Sequence, residues 1–209
     1  GINFVDTSDS YNEGRSESMI GNYLTNSRRR NNVVLATKYR SAVGAGVNDI
    51  GASRYHIVRA VEESLRRLRT DRIDLLYCHS WDEETPIEET LRAVDDLIHQ
   101  GKVVYAGASN FPAWVLAKSL WASDVRNLYR FEAIQSVFNI LQPGLGREMI
   151  PFAADHELAV IPYSPLASGM LTGQHGNSGK PIGGSKFGAR DDSKGGGLKS
   201  RYFNKATFN

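Results

Sequence analysis

Six short apolar segments recur along the chain, and this repetition limits the possible folds more than any other feature. They occupy residues 2–5, 33–37, 73–77, 103–108, 133–136 and 159–162. Strand-like segments that alternate with stretches of helical periodicity are typical of successive βα units in a parallel sheet. Each segment is apolar nearly throughout, as expected for strands with both faces covered. The sequence therefore predicts an α/β fold, either a doubly wound sheet or most of a (β/α)8 barrel.

The stretches between these segments carry helix signals. Five apolar residues between positions 53 and 68 fall on one helical face: Ile57, Val58, Val61, Leu65 and Leu68. Thr85-Pro86-Ile87-Glu88 has the pattern of a capping box with proline at the first helical position. We expect the helix that it opens to end at Gly101.

Composition excludes several classes of function. The net charge of +2 predicts no nucleic-acid or membrane partner, and no apolar run approaches the ~20 residues that cross a bilayer. The only cysteine, Cys78, has no partner for an internal disulfide, which favours a reducing, cytoplasmic location. No pair of histidines or cysteines has metal-ligand spacing, so no metal site is predicted.

Polar side chains follow the predicted strands at their carboxyl ends. In chain order they are Asp6 with Tyr11, Lys38, His79, Ser109 with Asn110, Gln135, and Tyr163 with Ser164. Parallel strands present these ends at one edge of the sheet, and barrel enzymes carry their active site there. Each residue alone has an ordinary structural explanation as a cap, a turn or a core residue. Their joint occurrence instead predicts an active site.

The residue types suit the reduction of a carbonyl group. The developing alkoxide needs a proton, and Tyr11 could donate it. A tyrosine with its ordinary pKa of about 10 is, however, a weak acid at neutral pH. Lys38 is expected to lower that pKa, and Asp6 to hold the lysine charged and in place. His79 could polarise or orient the carbonyl oxygen.

Asp6, Tyr11, Lys38 and His79, each in its sequence context, resemble the catalytic tetrad of the aldo-keto reductases. The segment 107–111, Gly-Ala-Ser-Asn-Phe, is similar to the family segment that holds the nicotinamide carboxamide together with a later glutamine. The resemblance thus implies Ser109, Asn110 and Gln135 as carboxamide ligands. The segment that begins at Tyr163 resembles the family segment in which a ring stacks on the nicotinamide and the following residues lie near the pyrophosphate, here Ser164, Leu166 and Gly169.

This resemblance implies an NADPH-dependent oxidoreductase that reduces aldehydes or ketones, with Tyr11 as the general acid. The His-x-Trp-Asp variant at residues 79–82 is similar to the branch of potassium-channel β-subunit-like reductases and aryl-alcohol dehydrogenases. Trp81, beside His79, is the candidate aromatic wall for a flat or apolar substrate. NADPH over NADH is implied by the family alone.

Counted by family motif, the chain holds the second to seventh strands of an incomplete (β/α)8 TIM barrel. Residues 1–171 would form the partial barrel, and residues 172–209 a Gly-rich loop or tail. Two exposed parallel edges would remain, so we expect the isolated chain to be unstable or aggregated.

Two alternatives stay open at this point. The chain could be a non-catalytic, nicotinamide-binding regulatory subunit of the channel β type, or a catalytically inactive truncated paralogue. The particular carbonyl substrate is not predicted, because specificity in this fold comes from the loops after the strands. The oligomeric state is not predicted either.

Overall fold

The computed structural model describes residues 1–175 and Tyr202. The chain divides into two compact units. The first contains residues 1–135 and 151–161, and the second contains residues 136–150 and those from 162 onward. Most of the predicted Gly-rich segment at residues 172–209 lies outside the described residues, and the predicted division of the chain after residue 171 stays a prediction.

The first unit contains one sheet of six strands. They are β1 (Phe4–Asp6), β2 (Val34–Tyr39), β3 (Ile73–Cys78), β4 (Val103–Ser109), β5 (Phe131–Gln135) and β6 (Ala159–Val160). All five pairings are parallel, and the strands lie in the sheet in the order of the chain. A doubly wound sheet reverses its winding at a switch point, and this sheet has no reversal. The fold is therefore an incomplete (β/α)8 barrel, as predicted.

Helices connect successive strands. They are α1 (Arg15–Ser27), α2 (Arg54–Leu68), α3 (Ile87–His99), α4 (Ala113–Arg126) and α5 (Met149–Asp155). The predicted apolar face of α2 is confirmed, because Ile57, Val61 and Leu68 are buried. Ser53 caps α2, since its side chain accepts a hydrogen bond from the backbone N–H of His56. None of the helices within residues 1–175 has the length and apolar composition that a bilayer crossing requires.

The predicted capping box before α3 is wrong. Pro86 itself takes the N-cap position, and no side chain caps this helix. The Thr85 hydroxyl instead donates a hydrogen bond to Asp82 Oδ2 at 2.8 Å, because the Asp82 carboxylate lies in the same loop before α3. The predicted end is confirmed: Gly101, in the left-handed conformation at φ 71°, follows the helix and its cap residue.

The inner face of the sheet carries a small apolar cluster. Ala36, Leu75, Tyr77 and Ala133 are buried together, with Phe4 and Ile161 packed against them. Gly107 makes room for the Tyr77 ring, because a Cβ at this position would lie 2.6 Å from ring carbons. Side chains two residues apart in a strand share a face. Asp6, Lys38 and Gln135 therefore lie on this same face, one step closer to the carboxyl ends of their strands.

The outer face of β2 is joined to two helices by a buried ion pair. Glu17 of α1 is fully buried, and its Oε2 accepts a hydrogen bond from Arg67 Nε of α2 at 2.6 Å. The hydroxyl of Thr37 donates to the other oxygen of Glu17, also at 2.6 Å. Thr37 and its neighbour Lys38 point to opposite faces of the strand, so one short strand serves both the helix layer and the candidate site.

The second unit has its own buried centre. Tyr202 is 1% exposed and packs with Ala167, and its hydroxyl donates a hydrogen bond to Gln142 Oε1 at 3.0 Å. Asn139 Nδ2 donates to the backbone oxygen of Ser164 at 3.0 Å and so fixes the turn there.

Candidate active site

The first three strands and their loops bring the predicted tetrad together. Asp6 ends β1, Lys38 is the next-to-last residue of β2, and His79 directly follows β3. The loops after β1 and β3 stay close to β2, because the backbone N–H of Asp9 donates to Lys38 O at 3.1 Å and that of His79 to Tyr39 O at 3.0 Å. Parallel pairing thus collects side chains that are far apart in sequence.

Lys38 is the most buried member of this group. Its side chain is completely buried, and its Nζ donates to Asp6 Oδ2 at 2.6 Å and to Thr7 O at 2.7 Å. Burial lowers the pKa of Lys38, and the Asp6 carboxylate opposes this effect. The predicted pairing of Asp6 with Lys38 is present in the structure, whereas the contact with the Thr7 carbonyl was not predicted.

Tyr11 lies between Lys38 and His79. Its ring centre is 5.0 Å from Lys38 Nζ and 5.7 Å from the centre of the His79 ring, which it meets edge-on. Burial, followed by the Asp6 carboxylate, raises the pKa of Tyr11 above its ordinary value. The expected lowering of this pKa by Lys38 is therefore not found. Burial is the larger cause of the rise, and the Lys38 ammonium is already paired with Asp6, whose negative charge also acts on Tyr11.

His79 is held through one ring nitrogen. Its Nδ1 lies 3.2 Å from Ser8 Oγ and also 3.2 Å from Ser41 Oγ, while its Nε2 has no hydrogen-bond partner among the described residues. Burial, helped by the positive charge of Lys38, lowers the pKa of His79 to about 4. The imidazole is therefore neutral at neutral pH, and Nε2 is the ring nitrogen that can make a further hydrogen bond.

Ser109, Asn110 and Gln135 meet at the ends of β4 and β5. Asn110 Nδ2 donates to Ser109 Oγ at 3.0 Å and to His79 O at 3.1 Å, and Gln135 Nε2 donates to Asp6 Oδ1 at 3.2 Å. Two amides and one hydroxyl supply both donors and acceptors, which is the chemistry that a carboxamide requires. This donor set fits a nicotinamide.

The remaining predicted cofactor ligands lie in the second unit. Tyr163 is held by its backbone N–H, which donates to Ser136 O at 3.0 Å. Ser164 and Gly169 have left-handed backbone, at φ 55° and 101°, and Leu166 between them is 56% exposed. Residues 164–169 form two consecutive turns within this unit, closed by hydrogen bonds from Ala167 N–H to Ser164 O and from Gly169 N–H to Leu166 O, both at 2.9 Å. The contact of these residues with a cofactor stays a prediction.

Trp81, the predicted substrate wall, has an aromatic partner of its own. Its ring meets Trp114 of α4 edge-on, with 5.1 Å between the ring centres. Both tryptophans line a cleft together with Glu83, Pro86 and Lys118. A role of Trp81 in substrate binding stays a prediction.

Sequence reasoning missed Ser8 and Ser41, which lie beside His79 Nδ1, and Asp9, which lies beside Ser8. Ser8 and Asp9 stand between Asp6 and Tyr11, and Asp9 is only 2% exposed. Their position between Asp6 and Tyr11, two predicted site residues, was a signal that could have identified them. Ser41 follows β2 and carried no such signal, because its approach to His79 depends on how two loops fold.

Comparisons with known proteins identify the family of this chain. A sequence model described as the aldo/keto reductase family matches residues 1–194. An aryl-alcohol dehydrogenase of Pestalotiopsis microspora is 34% identical over 82% of this chain and 46% of its own length. Norsolorinic acid reductase B of Dothistroma septosporum is 33% identical over 91% of this chain and 50% of its own length. A probable voltage-gated potassium channel subunit beta of Arabidopsis thaliana is 37% identical over 87% of this chain and 56% of its own length. The chain spans about half the length of these curated relatives.

Proposed function

The chain belongs to the aldo/keto reductase family, and on this basis we propose that it is an NADPH-dependent oxidoreductase that reduces aldehydes or ketones to alcohols. One observation supports the proposal above the others. A tyrosine, a buried lysine paired with a carboxylate, and a neutral histidine converge at the carboxyl ends of three successive parallel strands. No structural requirement of the sheet accounts for these four types together.

In this proposal the bound dinucleotide supplies the hydride that adds to the carbonyl carbon. Ser109, Asn110 and Gln135 would hold its carboxamide. Tyr163 would lie against its ring, and Ser164, Leu166 and Gly169 would lie near its pyrophosphate. The preference for NADPH over NADH rests on the family resemblance alone.

Side chains of the protein supply the proton. Tyr11 gives its phenolic proton to the carbonyl oxygen, so the substrate gains one hydride and one proton and becomes an alcohol. The raised pKa keeps the phenol protonated and ready at neutral pH. It also makes Tyr11 a weak acid, so the proton moves only as the oxygen becomes an alkoxide, which is more basic than a phenolate.

Lys38 and His79 act on this transfer without giving up a proton. The Lys38 ammonium, 5.0 Å from the Tyr11 ring centre, stabilises the phenolate that forms. Asp6 and the Thr7 carbonyl orient that ammonium. His79 is neutral at neutral pH and donates a hydrogen bond from Nε2 to the carbonyl oxygen.

The experiment measures NADPH oxidation with a reactive aromatic aldehyde by the purified protein and by its Tyr11→Phe variant. Loss of the general acid is expected to lower turnover by roughly 10²- to 10⁴-fold while NADPH binding persists. Tyr23→Phe is the matched control, because Tyr23 is an exposed residue of α1. Equal turnover in Tyr11→Phe and in the unmodified protein would contradict the role of Tyr11.

The second candidate function is a nicotinamide-binding regulatory subunit, favoured by the similarity to the Arabidopsis potassium channel subunit beta. Tight NADPH binding without turnover of any carbonyl would favour this function. Absence of both binding and turnover would instead favour an inactive paralogue.

Trp81 tests the class of substrate. If its ring forms a wall for flat substrates, Trp81→Ala raises KM for aromatic aldehydes more than for short aliphatic ones. Trp121→Ala is the matched control, since Trp121 is a 62% exposed residue of α4. Unchanged kinetics with aromatic aldehydes in Trp81→Ala would contradict the proposal.

A further inference from the structure

A chain of hydrogen bonds connects a buried carboxyl group to the ring of His79. Asp9 Oδ1 lies 3.1 Å from Ser8 Oγ, and the same Ser8 oxygen lies 3.2 Å from His79 Nδ1. Asp9 is 2% exposed, and its other oxygen, Oδ2, has no hydrogen-bond partner among the described residues. The mechanism proposed above uses neither Asp9 nor Ser8, although this chain of hydrogen bonds reaches His79 Nδ1. Whether Nδ1 carries a proton decides whether Nε2 of the neutral ring can donate a hydrogen bond.

Ser8 can satisfy this chain in two opposite directions. A hydroxyl has one proton to donate and two lone pairs. The backbone N–H of Ser10 occupies one lone pair, at 3.3 Å. One proton and one lone pair remain, and three groups lie near them: Asp9, His79 and the Ser10 hydroxyl, which is the closest at 3.0 Å. When the Ser10 hydroxyl is turned away from Ser8, the Ser8 proton goes to Asp9 or His79 and the lone pair accepts from the other.

The charge of Asp9 selects the direction. An ionised carboxylate only accepts, so the Ser8 proton points to Asp9 and a lone pair faces His79. That arrangement favours a proton on Nδ1 and leaves Nε2 as an acceptor, which cannot bind a carbonyl oxygen. A protonated Asp9 can donate to Ser8, which then donates to Nδ1 and favours the proton on Nε2.

We propose that Asp9 is a positioning residue that acts through Ser8 to select the tautomer of His79. Protonated Asp9 favours the Nε2–H tautomer, which donates a hydrogen bond to the substrate oxygen, and ionised Asp9 favours the other tautomer. This inference rests on the proposed function, because only carbonyl reduction requires a donor at Nε2. Ser41 also lies 3.2 Å from Nδ1 but binds no carboxylate within the described part of the chain, so its preference does not change with the state of Asp9.

The surroundings of Asp9 hold its two states in balance near neutral pH. Burial, and then the charge of Glu17, raise the pKa of Asp9 to about 7, while Ser8, the Ser10 backbone and Arg67 oppose the rise. The titratable and charged groups that face Asp9 come from α1, β2, α2 and the loop after β2. They are Glu17, Lys38, Asp49, His56, Arg59, Glu63 and Arg67. The last five line, with Asp9, a cleft of about 240 Å³.

The direct test reads the tautomer by ¹⁵N NMR of the histidine rings in the cofactor-free protein, with the His79 signals assigned from His79→Gln. Between pH 6 and pH 8.5 the proton population is expected to move from Nε2 to Nδ1. In Asp9→Asn, which cannot ionise, the tautomer should stay constant over this range. The matched control Asp71→Asn, whose side chain is 88% exposed, should behave like the unmodified protein.

The second readout is the pH profile of kcat/KM for an aldehyde at saturating NADPH. A hydrogen bond of ordinary strength predicts a decrease of about threefold to tenfold from pH 6 to pH 8.5. Asp9→Asn and Ser8→Ala should both abolish this decrease. Neither the Tyr11 pKa, which lies higher, nor the His79 pKa of about 4 would produce it.

The two measurements separate this inference from the proposed function. If the His79 tautomer changes with pH but the protein turns over no aldehyde, the coupling of Asp9 to His79 stands and the proposed function, carbonyl reduction, is overturned. Turnover together with a His79 tautomer that is independent of pH would overturn the coupling alone. A tautomer change that persists in Asp9→Asn would also overturn it, because another group would then be responsible.

Discussion

Lys38 Nζ lies 2.6 Å from Asp6 Oδ2, about half its distance of 5.0 Å from the centre of the Tyr11 ring. At this separation the Asp6 carboxylate offsets much of the field of the ammonium at Tyr11, because the two opposite charges act on the ring from similar distances. The ion pair therefore holds a buried ammonium in place without making Tyr11 a stronger acid. In this arrangement Lys38 helps only once a phenolate forms.

Asp6→Asn tests this balance. Removal of the Asp6 charge is expected to lower the pKa of Tyr11, because Asp6 raises it in the native protein. The pKa of Lys38 should also decrease, because Asp6 opposes the effect of burial there. Tyrosine labelled with ¹³C at Cζ, assigned from Tyr11→Phe, should show ionisation of Tyr11 beginning at a lower pH in the variant.

Asp96→Asn is the control for this titration, since Asp96 lies on α3 and forms an exposed ion pair with Arg54. An onset of Tyr11 ionisation that stays the same or moves to higher pH in Asp6→Asn would contradict the electrostatic account.

The burial of Asp9 predicts a pH dependence of stability. Its pKa rises from 3.8 in the unfolded chain to about 7 in the folded protein. Below pH 3.8 both states hold the proton and the full stability is present. As pH rises from 3.8 to about 7, only the unfolded state has released the proton, so the free energy of unfolding decreases. Relative to Asp9→Asn, the native protein should lose about 2–3 kcal/mol between pH 5 and pH 8.

Urea unfolding of the native protein, Asp9→Asn and Asp71→Asn at both pH values measures this difference. Asp71 is exposed, so its substitution should leave the pH dependence unchanged. A constant difference between the native protein and Asp9→Asn would show that Asp9 has an ordinary pKa.

The ion pair of Glu17 with Arg67 predicts a large loss of stability on truncation. Glu17→Ala leaves Arg67, 18% exposed, without its main partner, which is expected to cost about 3–5 kcal/mol of unfolding free energy. Replacement of both residues, as Glu17→Leu with Arg67→Met, should cost less, because no buried charge is left alone. Arg66→Ala removes an exposed pair with Glu63 and should cost far less than Glu17→Ala. A similar urea midpoint for Glu17→Ala and Arg66→Ala would contradict this ranking.

Gly107→Ala tests the contact between β3 and β4. The added methyl group would lie 2.6 Å from the Tyr77 ring and 3.0 Å from Ala133 O, so we expect a loss of about 1–3 kcal/mol. Gly144→Ala is the control, since no described atom lies within 4 Å of the added carbon, and it should stay within about 0.5 kcal/mol of the native protein. Equal thermal stability of the two variants would show that the Tyr77 ring moves aside freely.

The strands and the pairing of Asp6 with Lys38 could be predicted because both depend on local patterns. Apolar runs between helical stretches identified all six strands, although β6 is the short pair Ala159–Val160 rather than residues 159–162. Asp6 and Lys38 were predicted to meet because residues at the same end of neighbouring parallel strands must lie close together.

The remaining features depend on contacts that no local pattern encodes. Ser41 reaches His79 because two loops of different length happen to approach each other. The Thr85 hydroxyl binds Asp82 instead of capping α3, since a nearer carboxylate competes for it. The direction of the Tyr11 pKa shift depends on burial and on which charge lies closer, and both require coordinates.

The order of the strands also bears on how the chain folds. Asp6 and Lys38, which bind each other directly, are 32 positions apart, and Ser41 and His79 are 38 apart, since each pair comes from neighbouring strands. Short separations of this kind close at a small entropic cost and form early. During synthesis the predicted tetrad (Asp6, Tyr11, Lys38 and His79) can therefore assemble once β3 and the loop after it have emerged from the ribosome. Gln135, 129 positions from Asp6, joins them only after two further βα units have been made.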